Sequence, residues 1–348
     1  MKFPSQRFSL LRKILITITP IFLLLIIFSI QIIGITNTEE LKKHFKKFIA
    51  IDTLENVGFG HINPDSFQMV FDRDSLFILN MKDRIIVKFK ENKPEKIFKG
   101  EYGQGPKSML YPRSIFIIDP NTIGIYDFDK SVLLYFDRDL NYIEEKRVPS
   151  LRWKEMNKTS RGITTYYIGQ DKIFAFLDQE LNPLDRFVEA NKKSPVKSLL
   201  GDTLLNQGYF LRGDLVANGF FILLLEDNRL DIYDVKQKKL KISLHWKHLS
   251  PPNQSDIDNF RNLTYTLYVD KLKSVYVVEN LYCKDLKGNQ IPEVLIFNEN
   301  GNIIYRETWP FRLMSFSKTY DDSLVYVMDD DEGISYIDIM TLLNKKLK

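Results

Sequence analysis

Four histidines, one cysteine and a few clustered carboxylates are the residues whose types suit them to chemistry. His245 and His248 flank Trp246 at a spacing that would let two imidazoles reach one metal ion. Lys247 and the end of a strand at this point make a surface pair the expected reading. Asp127 with Asp129, and the run Asp329-Asp330-Asp331-Glu332, are the densest carboxylate groups. Calcium takes about six to eight oxygen ligands of this kind, so Asp329, Asp330 and Asp331 are the calcium candidates. Both groups also fall at expected turns between strands, where Asp is favoured because its side chain bonds nearby backbone. Turn chemistry is therefore the expectation, with no cofactor. His44 lies beside the N-terminal hydrophobic segment and His61 near the start of the body. No His-Glu-x-x-His, Gly-x-Ser-x-Gly or Cys-His arrangement is present, and no catalytic residue is assigned. Cys283, the single cysteine, permits no intramolecular disulfide and follows an apolar stretch, Tyr276–Tyr282, which predicts a buried structural thiol.

The elements that would position these groups divide the chain unequally. Residues 1–50 carry eight Lys/Arg against two Asp/Glu, while the rest of the chain is close to neutral. A neutral body has no electrostatic footprint for nucleic acid. Residues 14–36 hold no charge. As a helix they would extend about 34 Å, enough for a ~30 Å hydrocarbon core. A cleaved signal peptide has a shorter apolar region and a small-residue cleavage site, so an uncleaved anchor is the expectation. Lys2, Arg7, Arg12 and Lys13 favour a cytoplasmic tail over residues 1–13 and an extracytoplasmic body, while Lys42, Lys43, Lys46 and Lys47 flank the far side. Residues 37–50 read as a helical stalk, with Asn37 and Glu40 at capping-box spacing and Leu41, Phe45, Phe48 and Ile49 on one face.

Residues 51–348 read as short strands separated by turns, which suggests a sandwich, barrel or propeller. One unit recurs: two apolar alternating strands, a polar turn, then a strand rich in Lys or Glu. The first case is Ser75–Asn80 with Arg84–Lys90 and then Glu95–Gly100; the second is Ile123–Phe128 with Ser131–Asp137 and then Asn141–Val148. Lys172–Asp178 with Asp185–Ala190 is the third. Taking Phe89, Phe136, Phe187, Tyr233, Phe297 and Ile337 as anchors on the third strand of each unit gives a mean repeat of about 50 residues, the length of a four-stranded propeller blade. Trp153, Trp246 and Trp309 each follow an expected fourth strand. The expected fold is all-β, a six-bladed β-propeller behind one N-terminal transmembrane helix. Its last blade lacks a strand at the C-terminus, so Ile51–Gly58 is expected to supply it and remove an open edge.

The segment Gly100-Glu101-Tyr102-Gly103-Gln104-Gly105-Pro106, then Tyr111-Pro112-Arg113, Asp119, Tyr126-Asp127 and Tyr135-Phe136-Asp137, resembles one blade of the NHL-repeat and TolB-like six-bladed propellers of bacterial envelopes. Phe297-Asn298-Glu299-Asn300-Gly301 is similar to the Phe-Asp turn of that blade. The resemblance implies the fold and brings no catalytic motif. In it Gly103 and Gly105 would allow positive φ, while Pro106 and Pro112 stiffen the approach to the inner strand. The functional expectation is a membrane-anchored binding or scaffold module with a protein, peptide or carbohydrate partner on a propeller face. The alternative is a metal-dependent hydrolase or lyase, lactonase-like or amidating-lyase-like, working at a central channel.

Overall fold

The computed structural model describes residues 41–60, 66–72, 74–149, 153–159, 162–167, 172–189, 207–210, 219–224, 229–234, 237–246, 265–270, 275–284, 290–309, 311–313, 324–329 and 332–345. The described residues form six four-stranded sheets in which every neighbouring pair is antiparallel. In chain order, the first sheet is β2 (Phe67–Asp72), β3 (Ser75–Asn80), β4 (Ile85–Lys90) and β5 (Lys93–Lys99). The second is β6 (Pro112–Asp119), β7 (Thr122–Asp127), β8 (Val132–Asp137) and β9 (Tyr142–Arg147). The third holds β10 (Trp153–Thr159), β11 (Gly162–Tyr167), β12 (Lys172–Leu177) and β13 (Pro183–Glu189). The fourth holds β14 (Gln207–Phe210), β15 (Gly219–Leu224), β16 (Arg229–Asp234) and β17 (Lys239–His245). The fifth comprises β18 (Tyr265–Asp270), β19 (Val275–Lys284), β20 (Gln290–Asn298) and β21 (Ile303–Thr308). In the sixth, β22 (Arg312–Leu313), β23 (Leu324–Asp329) and β24 (Gly333–Asp338) are joined at the outer edge by β1 (Lys46–Ala50).

Each sheet grades from apolar to charged because of where its strands sit. Every residue of β3 is buried, and only the last residue of β4 is exposed, so both read as nearly continuous hydrophobic runs. Six of the seven residues of the fourth strand β5 and half of those of β9 are exposed, and both are rich in charged residues, which keeps an outer edge from pairing with another chain. The first four sheets each touch the next among the described residues, and the sixth touches the first. Phe77, Leu79 and Ile86 of the first interlock with Ile115, Ile123 and Phe136 of the second. Phe116, Tyr126 and Leu133 meet Met156, Ile163 and Leu177 of the third. Lys238 in the fourth sheet pairs with Asp185 in the third, and Trp246 lies edge-on to Phe297 of the fifth at 6.2 Å between ring centroids. Tyr326, Met328 and Ile334 of the sixth share a core with Phe67, Met69 and Phe89 of the first. The arrangement is propeller-like.

Two local devices recur and explain why the sheets repeat. At the turn from third to fourth strand, the sequences Asp137-Arg138-Asp139-Leu140-Asn141, Asp178-Gln179-Glu180-Leu181-Asn182 and Asn298-Glu299-Asn300-Gly301-Asn302 fold alike. In each, the first residue's N–H donates to the last residue's carbonyl at 2.9 Å, and its side-chain oxygen accepts the last residue's N–H. The fourth position has positive φ: Leu140 +59°, Leu181 +66°, Gly301 +79°. Only Gly adopts this region freely. The two leucines are held there by burial, at 5% and 0% exposure. Just after the fourth strand, Gly100 and Val148 each donate a backbone N–H to the turn between second and third strands, at 2.9 and 2.8 Å, and Trp309 donates to Pro292 near the start of β20, at 2.8 Å. Val148, Trp246 and Trp309 bury their side chains there. Gly100 has none, and Met109 fills the space: a Cβ on Gly100 would come within 2.9 Å of its Cε.

The edge strand of the sixth sheet departs from expectation. The strand that completes the sixth sheet is Lys46–Ala50, paired as Lys47↔Ser335 and Ala50↔Gly333, and Ile51–Gly58 is not a strand. Ile51–Asn56 instead forms helix α1, which buries Leu54 in the core shared by the sixth and first sheets. The C-terminal segment Ile339–Lys345 forms helix α2, which lies against β21. The helical stalk over 37–50 is likewise corrected: only Leu41 and Lys42 are helical among its described residues, and Lys46–Ala50 is extended. Phe48 and Ile49 favour the strand because it gives them a partner, with Phe48 against Phe71, Tyr326 and Tyr336 and Ile49 buried. Full burial of Ile49 contributes about 2 kcal/mol. In the third sheet, Lys172–Leu177 is the third strand and Pro183–Glu189 the fourth, so the anchor equivalent to Phe136 is Leu177 rather than Phe187. Trp153 comes after the fourth strand β9 and begins β10, while Val148 takes the place directly after β9.

Candidate interaction surface

The Gly-rich segment 100–111 connects the outer strand of the first sheet to the inner strand of the second. In an antiparallel four-stranded meander, this connection and the turn between second and third strands lie at the same end of the sheet. The loop therefore shares an end with Lys82–Arg84 and with Phe128–Ser131. Its path is fixed by three side chains. Asp127, fully buried at the end of β7, accepts the N–H groups of Leu110 (2.7 Å), Tyr111 (3.2 Å) and Lys130 (2.9 Å). Lys130, its side chain only 2% exposed, donates to the carbonyls of Gly105 (3.0 Å) and Ser108 (3.2 Å) and pairs with Glu145 at 2.8 Å. The Ser108 hydroxyl lies 2.7 and 2.5 Å from the carbonyls of Gly103 and Gly105, between which it shares its one proton. Phe128 N–H donates to the Tyr111 carbonyl, closing the loop onto the turn.

The blade-motif residues thus sit in one blade with distinct jobs. Gly103 has φ +154°, whereas Gly105 is not in the positive-φ region, and the strained non-glycine position is Lys107 at +66°. Pro106 lies in the turn, Pro112 opens β6, and Asp119 ends it, accepting Asn121 N–H at 2.8 Å. Asp129 is exposed beside the buried Asp127. Burial pushes the Tyr126 hydroxyl well above its ordinary range, the Asp127 charge adds to that, and Arg113 opposes it. At the opposite end of the sheets, burial of Lys88 disfavours its charge. Hydrogen bonds to Glu95 and Asp139 outweigh that and hold its ammonium above the ordinary range. The Lys88–Asp139 pair bridges the first and second sheets, as Arg138–Asp72 also does.

The metal candidates separate. His245 ends β17 and is exposed, while His248 lies outside the described residues. Asp329 ends β23 opposite Gly333; Asp330 and Asp331 lie outside the described residues, and so does His61. Among the described residues no group of three or more His, Cys, Asp or Glu is placed to hold a metal ion. Cys283 is in β19, opposite Ile291.

What the loop presents was not singled out by sequence reading. The exposed aromatic rings among the described residues are Tyr102 (73%) and Tyr111 (42%), both on this loop. Each has a guanidinium over it: Arg84 stands 5.2 Å from the Tyr102 ring, and Arg113 stands 6.0 Å from the rings of both Tyr111 and Phe128. The signal was available as Tyr-x₈-Tyr with Arg two residues on, but a tyrosine in a turn carries no mark of exposure.

Two solved structures overlap this architecture. A Bacteroides fragilis protein described as exported matches with TM-score 0.54 and 14% identity, over 84% of this chain and 92% of its own. A DUF4221-family member from Bacteroides vulgatus matches with TM-score 0.58 and 11% identity, over 79% and 92%. These likenesses are of fold. A streptogramin B lyase overlaps at TM-score 0.47 and 12% identity, over 85% and 87%, too distant to transfer chemistry. No family model matches the chain, and no curated protein sequence matches it.

Proposed function

We propose that residues 46–348 form a closed six-bladed β-propeller of the NHL-repeat and TolB-like kind. It is held to the cytoplasmic membrane by residues 14–36, lies outside the cytoplasm, and serves as a binding or scaffold module without catalysis of its own. The observation that carries this reading is the clamped loop 100–111. A buried aspartate and a buried lysine are spent on fixing a loop that exposes Tyr102 and Tyr111 beside Glu101, Gln104 and Lys107, an arrangement suited to recognition. The six four-stranded sheets, with the sixth packed on the first, support ring closure. The uncharged segment 14–36 and the basic residues before it support the anchor. The fold shared with a Bacteroides fragilis protein described as exported supports the location. Among the described residues no helix is long and apolar enough to cross a membrane, and residues 14–36 lie outside them.

The test combines location with occupancy. The full chain, produced with a photo-crosslinking residue at position 102, should stay in the membrane fraction after alkaline extraction. Its body should be cut by protease added from the extracytoplasmic side. Position 102 should yield a discrete adduct that position 180, at the opposite sheet end, does not. Release by alkali, protection from external protease, or equal cross-linking at both ends would each count against the proposal.

A further inference from the structure

The geometry points to a lipid surface as the partner of one end of the body. We infer that the end carrying the third-to-fourth-strand turns rests on the headgroup–acyl boundary of the bilayer, through Ile143, Leu184, Leu240 and Ile304. The inference rests on the membrane-anchored reading above and gives it a contact surface and an orientation.

Three observations converge. First, exposed aliphatic residues repeat at one position. Ile143 in β9, Leu184 in β13, Leu240 in β17 and Ile304 in β21 are each the second residue of a fourth strand, and they are 40–69% exposed. Single exposed apolar residues are ordinary. The same position exposed in four successive sheets is not, and β9 continues with Glu144, Glu145, Lys146 and Arg147. Pro94 and Lys47 hold the equivalent places in β5 and β1. Second, a backbone irregularity accompanies them. The register against the third strand shifts here in β9, β13, β17 and β21, and Ile143, Leu184 and Ile304 are the residues left out of it. Such a bulge re-aims the side chains around it. Third, chain connectivity puts this end nearest the uncharged segment. A fourth strand begins at the end where the third strand finishes. In the sixth sheet β1 fills that place, with Lys46 opposite Tyr336 near the end of β24. Only residues 37–45 separate Lys46 from the uncharged segment 14–36. Fully extended they reach about 30 Å. Bonds from His44 N–H to the Leu41 carbonyl and from Phe45 N–H to the Lys42 carbonyl shorten that reach. The opposite sheet end lies about 20 Å further off, the length of a six-residue strand. The Tyr102–Tyr111 loop, at that opposite end, then faces away from lipid.

The experiment uses the full chain reconstituted in phosphatidylcholine vesicles, in a Cys283→Ser background. Ile143→Cys, Leu184→Cys, Leu240→Cys, Ile304→Cys and Tyr102→Cys are each labelled with an environment-sensitive fluorophore. All of these side chains are exposed, so replacement leaves the fold intact, and an unchanged thermal midpoint in detergent confirms it. A nitroxide lipid labelled near the headgroup is the quencher. At least three of the four aliphatic positions should shift to the blue and lose half or more of their emission, while position 102 stays unquenched. Leu184→Glu combined with Leu240→Glu should reduce the quenching at position 143 by half or more, because apolar area sets interfacial binding. Unchanged quenching there would show that the tether alone brings this end close, and would overturn the inference. Quenching at fewer than three positions, or at position 102, would do the same. So would a blue shift that survives the nitroxide lipid and grows with protein density, the sign of a second copy. If quenching fails while the chain stays with the vesicles through alkaline extraction, the anchored reading stands and the lipid contact falls. If the chain leaves the vesicles, both fall.

Discussion

Removal of the Asp127 carboxylate isolates the clamp on which the recognition loop depends. In Asp127→Ala the N–H groups of Leu110, Tyr111 and Lys130 lose a common acceptor held at 2.7–3.2 Å. A hydrogen bond to a charged acceptor is worth about 1.5–3 kcal/mol, and a buried donor left unmet costs about 1–3 kcal/mol. Three such bonds are not additive, because one carboxylate's own burial opposes all of them. The expected loss is about 3 kcal/mol. Asp127→Asn keeps one oxygen and no charge, so its loss should be about 1–2 kcal/mol. The internal control is Asp119→Ala in the same blade. That carboxylate is exposed and, among the described residues, accepts Asn121 N–H, which predicts a change within about 0.5 kcal/mol. The assay is urea unfolding of the body monitored by tryptophan fluorescence, with the slope checked for constancy. If Asp127→Ala and Asp119→Ala unfold at the same midpoint, the clamp contributes nothing and the reasoning is refuted.

Other perturbations probe separate parts of the account. Lys130→Met should leave the Gly105 and Ser108 carbonyls without their donor and raise amide hydrogen exchange across 103–109, with β7 and β8 unaffected; unchanged exchange would show the loop is fixed without it. Gly333 has φ +99°, and a Cβ there would overlap the Ile49 carbonyl and come within 2.7 Å of Ile51 N. Gly333→Ala should therefore cost about 3 kcal/mol and expose residues 46–50 to limited proteolysis. At Asp137, burial raises the carboxyl pKa, but hydrogen bonds from Asn141 and Asp139 outweigh it and hold the group below its ordinary value. Its contribution is thus present above the unfolded-state pKa of about 4 and is lost as pH falls through the folded-state value. Thermal midpoints between pH 6 and 3 should fall less steeply in Asp137→Asn than in the parent.

Strand pairs with an uninterrupted apolar face were legible. Ser75–Asn80 is β3 to the residue, and Ile123–Phe128 with Ser131–Asp137 lies within one residue of β7 and β8 at each end. Strands that bury polar residues were not. Gly162–Tyr167 was passed over because Thr164 and Thr165 interrupt its apolar pattern, yet both are fully buried. Missing that strand displaced the third unit by one position and put Phe187 where Leu177 belongs. Lys46–Ala50 was absorbed into a helical stalk because Leu41, Phe45, Phe48 and Ile49 fit a helical face as well as Phe48 and Ile49 fit a strand end. Its conformation is decided by β24, almost three hundred residues away in sequence, and no local period reports such a partner. The site divides in the same way. Asp127 could be marked as a turn aspartate, but its three acceptor bonds and the exposure of Tyr102 are properties of packing.

The central claim is that the body is a ring fastened by Lys46–Ala50 against β24, and disulfide trapping reaches it most directly. In a Cys283→Ser background, Lys47→Cys with Ser335→Cys joins positions that face each other across the antiparallel pair. Facing residues in such a pair have Cα atoms about 4.5–5.5 Å apart, within disulfide range. The account predicts rapid, near-complete oxidation within single molecules and a higher unfolding midpoint. It also predicts no cross-link when the first cysteine is moved to Glu55 in α1. A bond that fails to form at Lys47, or one that forms from position 55, would contradict the closure described.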